Sequence, residues 1–288
     1  MCAKVGFSIL NFNSLDETNK CIESIREYCD VEDYKIVIVD NASIDGSGTR
    51  LSEVFVNDNK VHVIISNENL GFARGNNIGF RYLKEQGCDY ICMLNSDIEL
   101  REGFSVQKID DHYEKYGYAV MGPKIITNSY NSGKCNPVRT EPLKVSPLLI
   151  TYVKLLIRLA IWEIGLGSHI SYDGNRKRLD KSNIDYDRHA LDVELHGCCL
   201  IFSRAYIDRK DGLNESTFMY GEEDILYYEL LSEGLKTLYA PDICVLHNEK
   251  KSTDNTFSRI REKRLFEYKN RIRSMHHVLK AARCYWGK

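Results

Sequence analysis

Four apolar runs in the first 126 residues each end in a polar turn, with helical stretches between them. No other feature constrains the fold as much. "KVGFSILNF" reads as a buried strand, and "SLDETNKCIESIREYC" as a helix opened by a capping box of Ser14 and Glu17. "YKIVIVDN" and "VHVIIS" are a second and a third strand, the second running into the polar turn "NASIDGSG". "GFARGNNIGFRYLKEQG" is a glycine-punctuated loop leading into a helix, and "YICMLNSD" is a fourth strand that runs out into carboxylate chemistry. This order indicates an α/β fold of parallel strands covered by helices on both faces. Ligands of such sheets bind beyond the carboxyl ends of the strands. Asp40, Asn41, Asn95 and Asp97 all stand there, so one pocket is expected to collect them.

After "AVMGPKII" the alternation stops. Residues 128–190 hold the apolar stretch "SPLLITYVKLLIRLAIWEIGLG" and then the polar "SYDGNRKRLDKSNIDYDRH", which reads as a mobile loop. The apolar piece is expected to be a packed helix, with a membrane-surface or lid helix as the alternative. Lys154 and Arg158 lie four residues apart on one face of it. No uninterrupted run of about 18 apolar residues exists, so no transmembrane helix is expected. "VELHGCCLIFSR" returns as a strand, "FMYGEEDILYYELLSEG" supplies a helix, "KTLYAP" and "ICVLH" two short strands, and the tail is helical.

Composition narrows the function classes. A net charge of −2 gives no global argument for nucleic-acid binding. The ten cysteines form no CxxC pair, and the N-terminus lacks secretory features, which favours the reducing cytosol. Cys198 and Cys199 are read as core strand residues.

The chemistry is concentrated in a few places. Asp97 closes a buried strand, where one carboxylate can help hold a hard cation that completes its shell with phosphate and water. Taken alone it reads first as a turn or helix-cap residue. Gly71, Gly75 and Gly79 follow the third strand in a G-x-x-x-G-x-x-x-G pattern. That spacing rejects the dinucleotide fingerprint, and with it a nicotinamide-dependent oxidoreductase. Asp40 can accept a hydrogen bond from a base or ribose edge, and Arg74 with the first-turn amides can meet a phosphate. Glu222, Glu223 and Asp224 crowd one helix start. The helix dipole favours each by about 0.3–1 kcal/mol, yet they repel one another and no cation lies nearby in sequence. Such a cluster points to an ionised base. His247 is a structural residue unless it faces Asp97.

Taken in order, "ILNFN", "VDNASIDGS", "NLGFARGNNIGF", "LNSDIEL", "GCCLIFSR", "FMYGEEDIL", His247 with Ser252 beyond it, and "FEYKNRIR" resemble the family 2 glycosyltransferases of GT-A fold, in particular the bacterial rhamnosyltransferase-like group. The resemblance implies a central, mostly parallel mixed sheet flanked by helices. It implies that Phe12, Asn13 and Asp40 hold the nucleotide base, and that Asn41, Asn69, Gly71, Arg74 and Asn77 line the nucleotide-sugar. Asn95, Ser96 and Asp97 stand at the diphosphate, where Asp97 would hold Mg²⁺ or Mn²⁺ with His247 as a second ligand. The family's catalytic base falls on Glu223 or, one residue along, Asp224, with its neighbours, Glu222 among them, orienting acceptor hydroxyls. The implied reaction inverts the sugar of a dTDP-rhamnose or UDP-hexose donor onto a saccharide or lipid-linked acceptor, in surface polysaccharide synthesis. A catalytically silent sugar-nucleotide-binding subunit is the rival reading.

The expected organisation is a transferase domain at 1–252 and a basic helical extension at 253–288. The domain divides into a nucleotide-sugar-binding half at 1–126, an acceptor-side insertion at 128–190 and a catalytic half at 191–252. From Phe257 on, it carries ten cations against Glu262 and Glu267, interleaved with Leu265, Phe266, Val278, Leu279 and Trp286. Either a solvated face or docking to an anionic membrane surface suits it. The expected location is cytoplasmic, peripheral on the inner face of the membrane, with no nucleic-acid partner.

Overall fold

A computed structural model describes residues 3–128, 133–169, 184–249 and 259–287. The four expected N-terminal strands form as β1 (Val5–Asn11), β2 (Tyr34–Asp40), β3 (Val61–Ile65) and β4 (Tyr90–Asn95). They pair in parallel in the order β3-β2-β1-β4. Their apolar runs are continuous because both faces are covered. Along β2, Ile36 and Ile38 join one core, while Val37 and Val39 join the other. The first core takes in α1 (Leu15–Tyr28), α2 (Ser47–Val54) and α4 (Val106–Tyr116). The second takes in α3 (Phe72–Glu85), α6 (Arg204–Ile207) and α7 (Glu222–Glu233).

The sheet then turns mixed. β8 (Cys199–Phe202) runs antiparallel between β4 and β6 (Val120–Thr127). β9 (Thr237–His247) pairs parallel with β6, and antiparallel with both β5 (Ile98–Leu100) and β7 (Ala190–Leu191). Six strands share one direction, and β5, β7 and β8 oppose it. β9 merges the two short strands expected from sequence. Its register jumps opposite Pro123 and Lys124, from Ala240 to Cys244, because Pro241 has no N–H to give the ladder.

Three other expectations change. Ser14 is the N-cap of α1 but makes no side-chain capping bond; its hydroxyl donates instead to Asn11 Oδ1 and Ser96 Oγ, each at 3.0 Å. The apolar stretch forms α5 (Val145–Glu163), yet only Leu148 and Leu155 in it are buried. It packs by one stripe, and at 19 residues with mean hydropathy 1.6 it is long and apolar enough to cross a membrane, contrary to expectation. The C-terminal helix α8 (Ile260–Trp286) is an integral part of the fold: Val278, Leu279 and Ala282 share a core with Leu148 of α5 and with Ile225 and Tyr228 of α7. Val278, Leu279 and Ala282 are thus spent inward, while Ile260 and Trp286 of the same helix stay exposed. Cys198 and Cys199 are buried core residues, as expected. Most of the polar piece after α5, and Ser252, lie outside the described residues.

Candidate active site

The chain reverses its strand order between β1 and β4, and the loops leaving these two strands meet. The Ser14–Ser96 hydrogen bond joins them. Beside them the turn after β2 is tied down. Asp40, buried, accepts from Asn11 Nδ2 at 2.6 Å and from the Ser43 amide at 3.1 Å. Asn13, at φ 51°, donates its amide to Ser43 Oγ, while its side-chain oxygen accepts from the Ile44 amide. Phe12 is half-buried in the same turn. Asn41 donates to Asn69 Oδ1 and to the Gly71 carbonyl, and accepts from the Leu70 amide at 2.8 Å. Asp40, Asn41 and Asn69 are thus brought together, with much of their hydrogen-bonding capacity used to shape the loop.

Gly71 is where this half touches the acidic motif. Its φ is 80°, and a methyl group there would lie 2.2 Å from the Phe218 carbonyl oxygen. That carbonyl accepts from the Phe72 amide at 2.7 Å, so one first-turn amide expected at a phosphate is already engaged. Arg74 is exposed on the same turn. Asn77 is buried: its amide donates to the Leu213 carbonyl and Glu215, its oxygen accepts from the Leu213 amide at 2.7 Å, and it is 1% exposed. These bonds fasten α3 to the 212–215 loop.

At the end of β4, Asn95 donates its amide to the Cys198 carbonyl, and Asp97 follows two residues on. Asp97 Oδ2 lies 3.3 Å from His247 Nε2, because β5 and β9 pair Ile98 with His247. The condition set for His247 is met. A carboxylate and an imidazole, both nearly buried beside the switch point, fit a two-ligand site for a hard cation whose remaining positions go to phosphate and water. His196 stacks edge-on near His247, with ring centroids 5.9 Å apart. Among the described residues one further group has metal-ligand spacing, His112, His189 and Asp242. It sits at the β9 bulge, five residues before His247, and both imidazoles hydrogen bond to Asp242 at 3.0 Å, which accounts for it without an ion.

The acidic trio separates into three environments. Glu222 is buried and accepts from Thr217 Oγ1 at 2.8 Å. Burial, then the charge of Glu223, lifts its carboxyl to about 7 against the hydrogen bonds that oppose the rise. Near neutral pH it therefore holds a proton much of the time, which eases the crowding. Asp224 Oδ1 lies 3.1 Å from Arg139 Nη2, an ion pair without hydrogen-bond alignment. Arg139 also meets Glu194 at 2.8 Å. Burial works against the guanidinium charge, but Glu194 and Asp224 outweigh it and hold Arg139 above its ordinary value. An antiparallel bridge between Arg139 and Glu194 fixes the pair.

Glu223 points elsewhere. A methyl group at Gly197 would sit 2.5 Å from its Oε1, so its carboxylate lies on the turn that leads into β8. The next residue, Cys198, bonds to Asn95. Burial raises the Cys198 thiol, and the charges of both Asp97 and Glu223 add to the rise. Glu223 and the end of β4, which leads to Asp97, thus both meet the Gly197–Cys198 turn.

The sequence matches agree with this geometry. The family model for glycosyl transferase family 2 matches residues 8–207, more than half of the chain. The chain belongs to glycosyl transferase family 2. Among curated family 2 relatives, it is 24% identical to the low-salt glycan biosynthesis hexosyltransferase Agl10 of Haloferax volcanii over 86% of this chain and 68% of that one. It is 28% identical to the dTDP-rhamnosyl transferase RfbF of Shigella flexneri over 41% of this chain and 37% of that one. Residues 1–349 of S. aureus TarS share the GT-A fold, with TM-score 0.54 and 12% identity over 85% of this chain and 60% of that one. TarS 1–349 has also been solved with UDP-GlcNAc, again at TM-score 0.54. The chain spans 37% of RfbF and 36% of the longer TarS structure.

Sequence reasoning missed Arg139, Glu194, Thr217, His196 and Gly197. The only available signal was "HGCC", where a glycine and a histidine precede a buried strand.

Proposed function

We propose that this chain is an inverting glycosyltransferase that moves a sugar from a nucleoside-diphosphate donor, dTDP-rhamnose or a UDP-hexose, to a hydroxyl of a saccharide or lipid-linked acceptor in surface polysaccharide synthesis. The observation that supports this is that the Glu223 carboxylate lies against Gly197 while the next residue, Cys198, is bonded to Asn95, two residues before Asp97. Membership of family 2 and the relatives' printed activities support it.

In this reading Glu223 is the base and Asp224 is not. Asp224 is neutralised by Arg139, and Glu222 is buried on Thr217. The acceptor oxygen attacks the anomeric carbon from the face opposite the diphosphate. Its proton passes to Glu223 as the new carbon–oxygen bond forms, and the bond to the diphosphate oxygen breaks with its electron pair leaving on the phosphate. Removing that proton in the transition state typically contributes about 10²–10⁴-fold. Asp97 and His247 would hold Mg²⁺ or Mn²⁺, which when bound supplies charge stabilisation to the departing diphosphate. Asn41, Asn69 and Gly71 shape the donor loop, and Arg74 remains available to a phosphate.

The test is release of nucleoside diphosphate from a panel of dTDP- and UDP-sugars, with and without Mn²⁺, supplemented with saccharide acceptors. Wild type should turn over at least one donor. Glu223→Gln should bind that donor, read by thermal shift, without turning it over. A wild-type protein that is stabilised by donors yet releases no diphosphate with any acceptor would instead be the silent binding subunit.

A further inference from the structure

We propose that α5, flanked by its own cations and the start of α8, docks in the plane of a bilayer surface that contains anionic lipid. Successive helix residues are about 100° apart. On that wheel Leu148, Tyr152, Leu155 and Leu159 form one stripe, and it is this stripe that packs on the protein, with Leu148 and Leu155 buried. The opposite arc carries Leu149, Ile150, Val153, Leu156, Ile157 and Ile164. Of these Ile150, Val153, Ile157 and Ile164 are each more than half exposed. A contiguous exposed apolar face along a helix of this length marks an interaction site rather than ordinary surface.

Charge says what covers it. Lys154 and Arg158, both exposed, line one edge of the arc, placed for their stems to lie along apolar surface while the heads reach phosphate. The helix's one carboxylate, Glu163, lies on the other side of the wheel, 3.5 Å from Lys269 of α8. Arg261 closes the C-terminal end of α5 by donating to the Trp162 and Glu163 carbonyls, and Arg259 stands exposed beside it. An apolar arc with a cationic edge complements acyl chains beneath anionic headgroups. A second copy placed antiparallel on this arc would set cationic edge against cationic edge, while in a parallel pair the facing Glu163 is already 3.5 Å from Lys269. A membrane crossing is equally disfavoured: Lys154 and Arg158 fall at mid-helix, and crossing would strip Leu148 from Val278 and Leu279.

The inference stands apart from the transferase reading and gives a lipid-linked acceptor its meeting place. The full chain should sediment with phosphatidylcholine vesicles containing phosphatidylglycerol, and far less with phosphatidylcholine alone. Val153→Asp/Ile157→Asp and, separately, Lys154→Glu/Arg158→Glu should each weaken that partitioning at least about tenfold. Both pairs are exposed, so melting temperature and diphosphate release with a soluble acceptor should match wild type. Vesicle binding lost while release persists tests the docking surface alone; release lost in Glu223→Gln with vesicle binding intact tests the chemistry alone. The proposal is overturned if wild type ignores anionic vesicles at low salt, or if either double variant binds as wild type does. It is overturned too if the protein resists alkaline carbonate extraction, or if it is a dimer that Val153→Asp/Ile157→Asp dissociates.

Discussion

Asp40, the last residue of β2, and Asp224, in the first turn of α7, are both carboxylates of the expected site, yet they are satisfied in opposite ways. Asp40 is held from nearby, by the Ser43 amide three residues on and by Asn11 on the adjoining strand. Asp224 depends on Arg139, 85 residues earlier, and Arg139 in turn on Glu194. The donor side is a local hydrogen-bonded scaffold of Asn, Asp and Ser. The acidic side is an assembly of distant charges whose geometry exists only once α5, α7 and α8 have packed. A local scaffold tolerates the loss of one member, since water and neighbours replace the bond; a distant charge assembly does not.

The largest expected break is chemical. Glu223→Gln keeps the shape on Gly197 but removes the proton acceptor, and should lower turnover by about 10²–10⁴-fold with donor binding retained. Asp224→Asn should cost far less if Asp224 serves mainly as partner to Arg139. Equal losses in the two variants, measured as initial rates of diphosphate release, would refute the division of labour within the trio.

Next comes Arg139→Ala. It strands Glu194, almost fully buried, and Asp224 beside it, and breaking such a pair costs about 3–5 kcal/mol. Chemical denaturation at neutral pH should show that loss. Asp40→Asn, which keeps the local bonding shape, should stay near about 1 kcal/mol. Similar costs for both would erase the contrast between local scaffold and distant assembly.

What was legible in the sequence follows the same line. The strands β1–β4 were readable because both faces are buried, so residues such as Ile36 to Val39 are apolar without alternation. The linking of the turns after β1, β2 and β4, through Asn11, Ser14 and Ser96, followed from strand direction. Illegible were the contacts that tertiary packing chooses. Arg139 sits in an irregular stretch with nothing local to mark it, and Ser14 traded its expected capping bond for the Asn11 and Ser96 contacts that the switch point offered. Leu148 and Ile157 are alike in sequence, and only the position of α8 decides which is buried.

Glu222 sharpens the comparison through pH. Its carboxyl is raised from an ordinary 4.5 to about 7, chiefly by burial. The folded state therefore prefers the protonated form, and its advantage is complete below about 4.5 and lost as pH rises through about 7. Unfolding free energy should fall across that window by an amount on the order of 3 kcal/mol in the limit of the full shift. Glu222→Gln, which mimics the protonated acid against Thr217, should flatten the curve and exceed wild type above pH 7. A wild-type curve that rises between pH 5 and 7 would contradict the burial-driven shift.

The smallest effect tests whether Asn77, held by the 212–215 loop, also serves the donor. Asn77 bonds both the amide and the carbonyl of Leu213, and Gly212 accommodates it at φ 130°, where a methyl group would lie 2.1 Å from Asn77 Oδ1. Asn77→Ala leaves two buried backbone groups unpaired, each costing about 1–3 kcal/mol if nothing replaces the bond. The 214–216 segment beside it is exposed, so water recovers part of this and the net loss should be about 1–2 kcal/mol. Donor affinity, read by titration well below the melting temperature, should hardly change, because the side chain faces the loop and not the nucleotide-sugar pocket. If affinity instead drops tenfold or more while stability is unmoved, Asn77 is a donor ligand as its place in "NLGFARGNNIGF" implied, and the bond to Leu213 is one it gives up when the donor arrives.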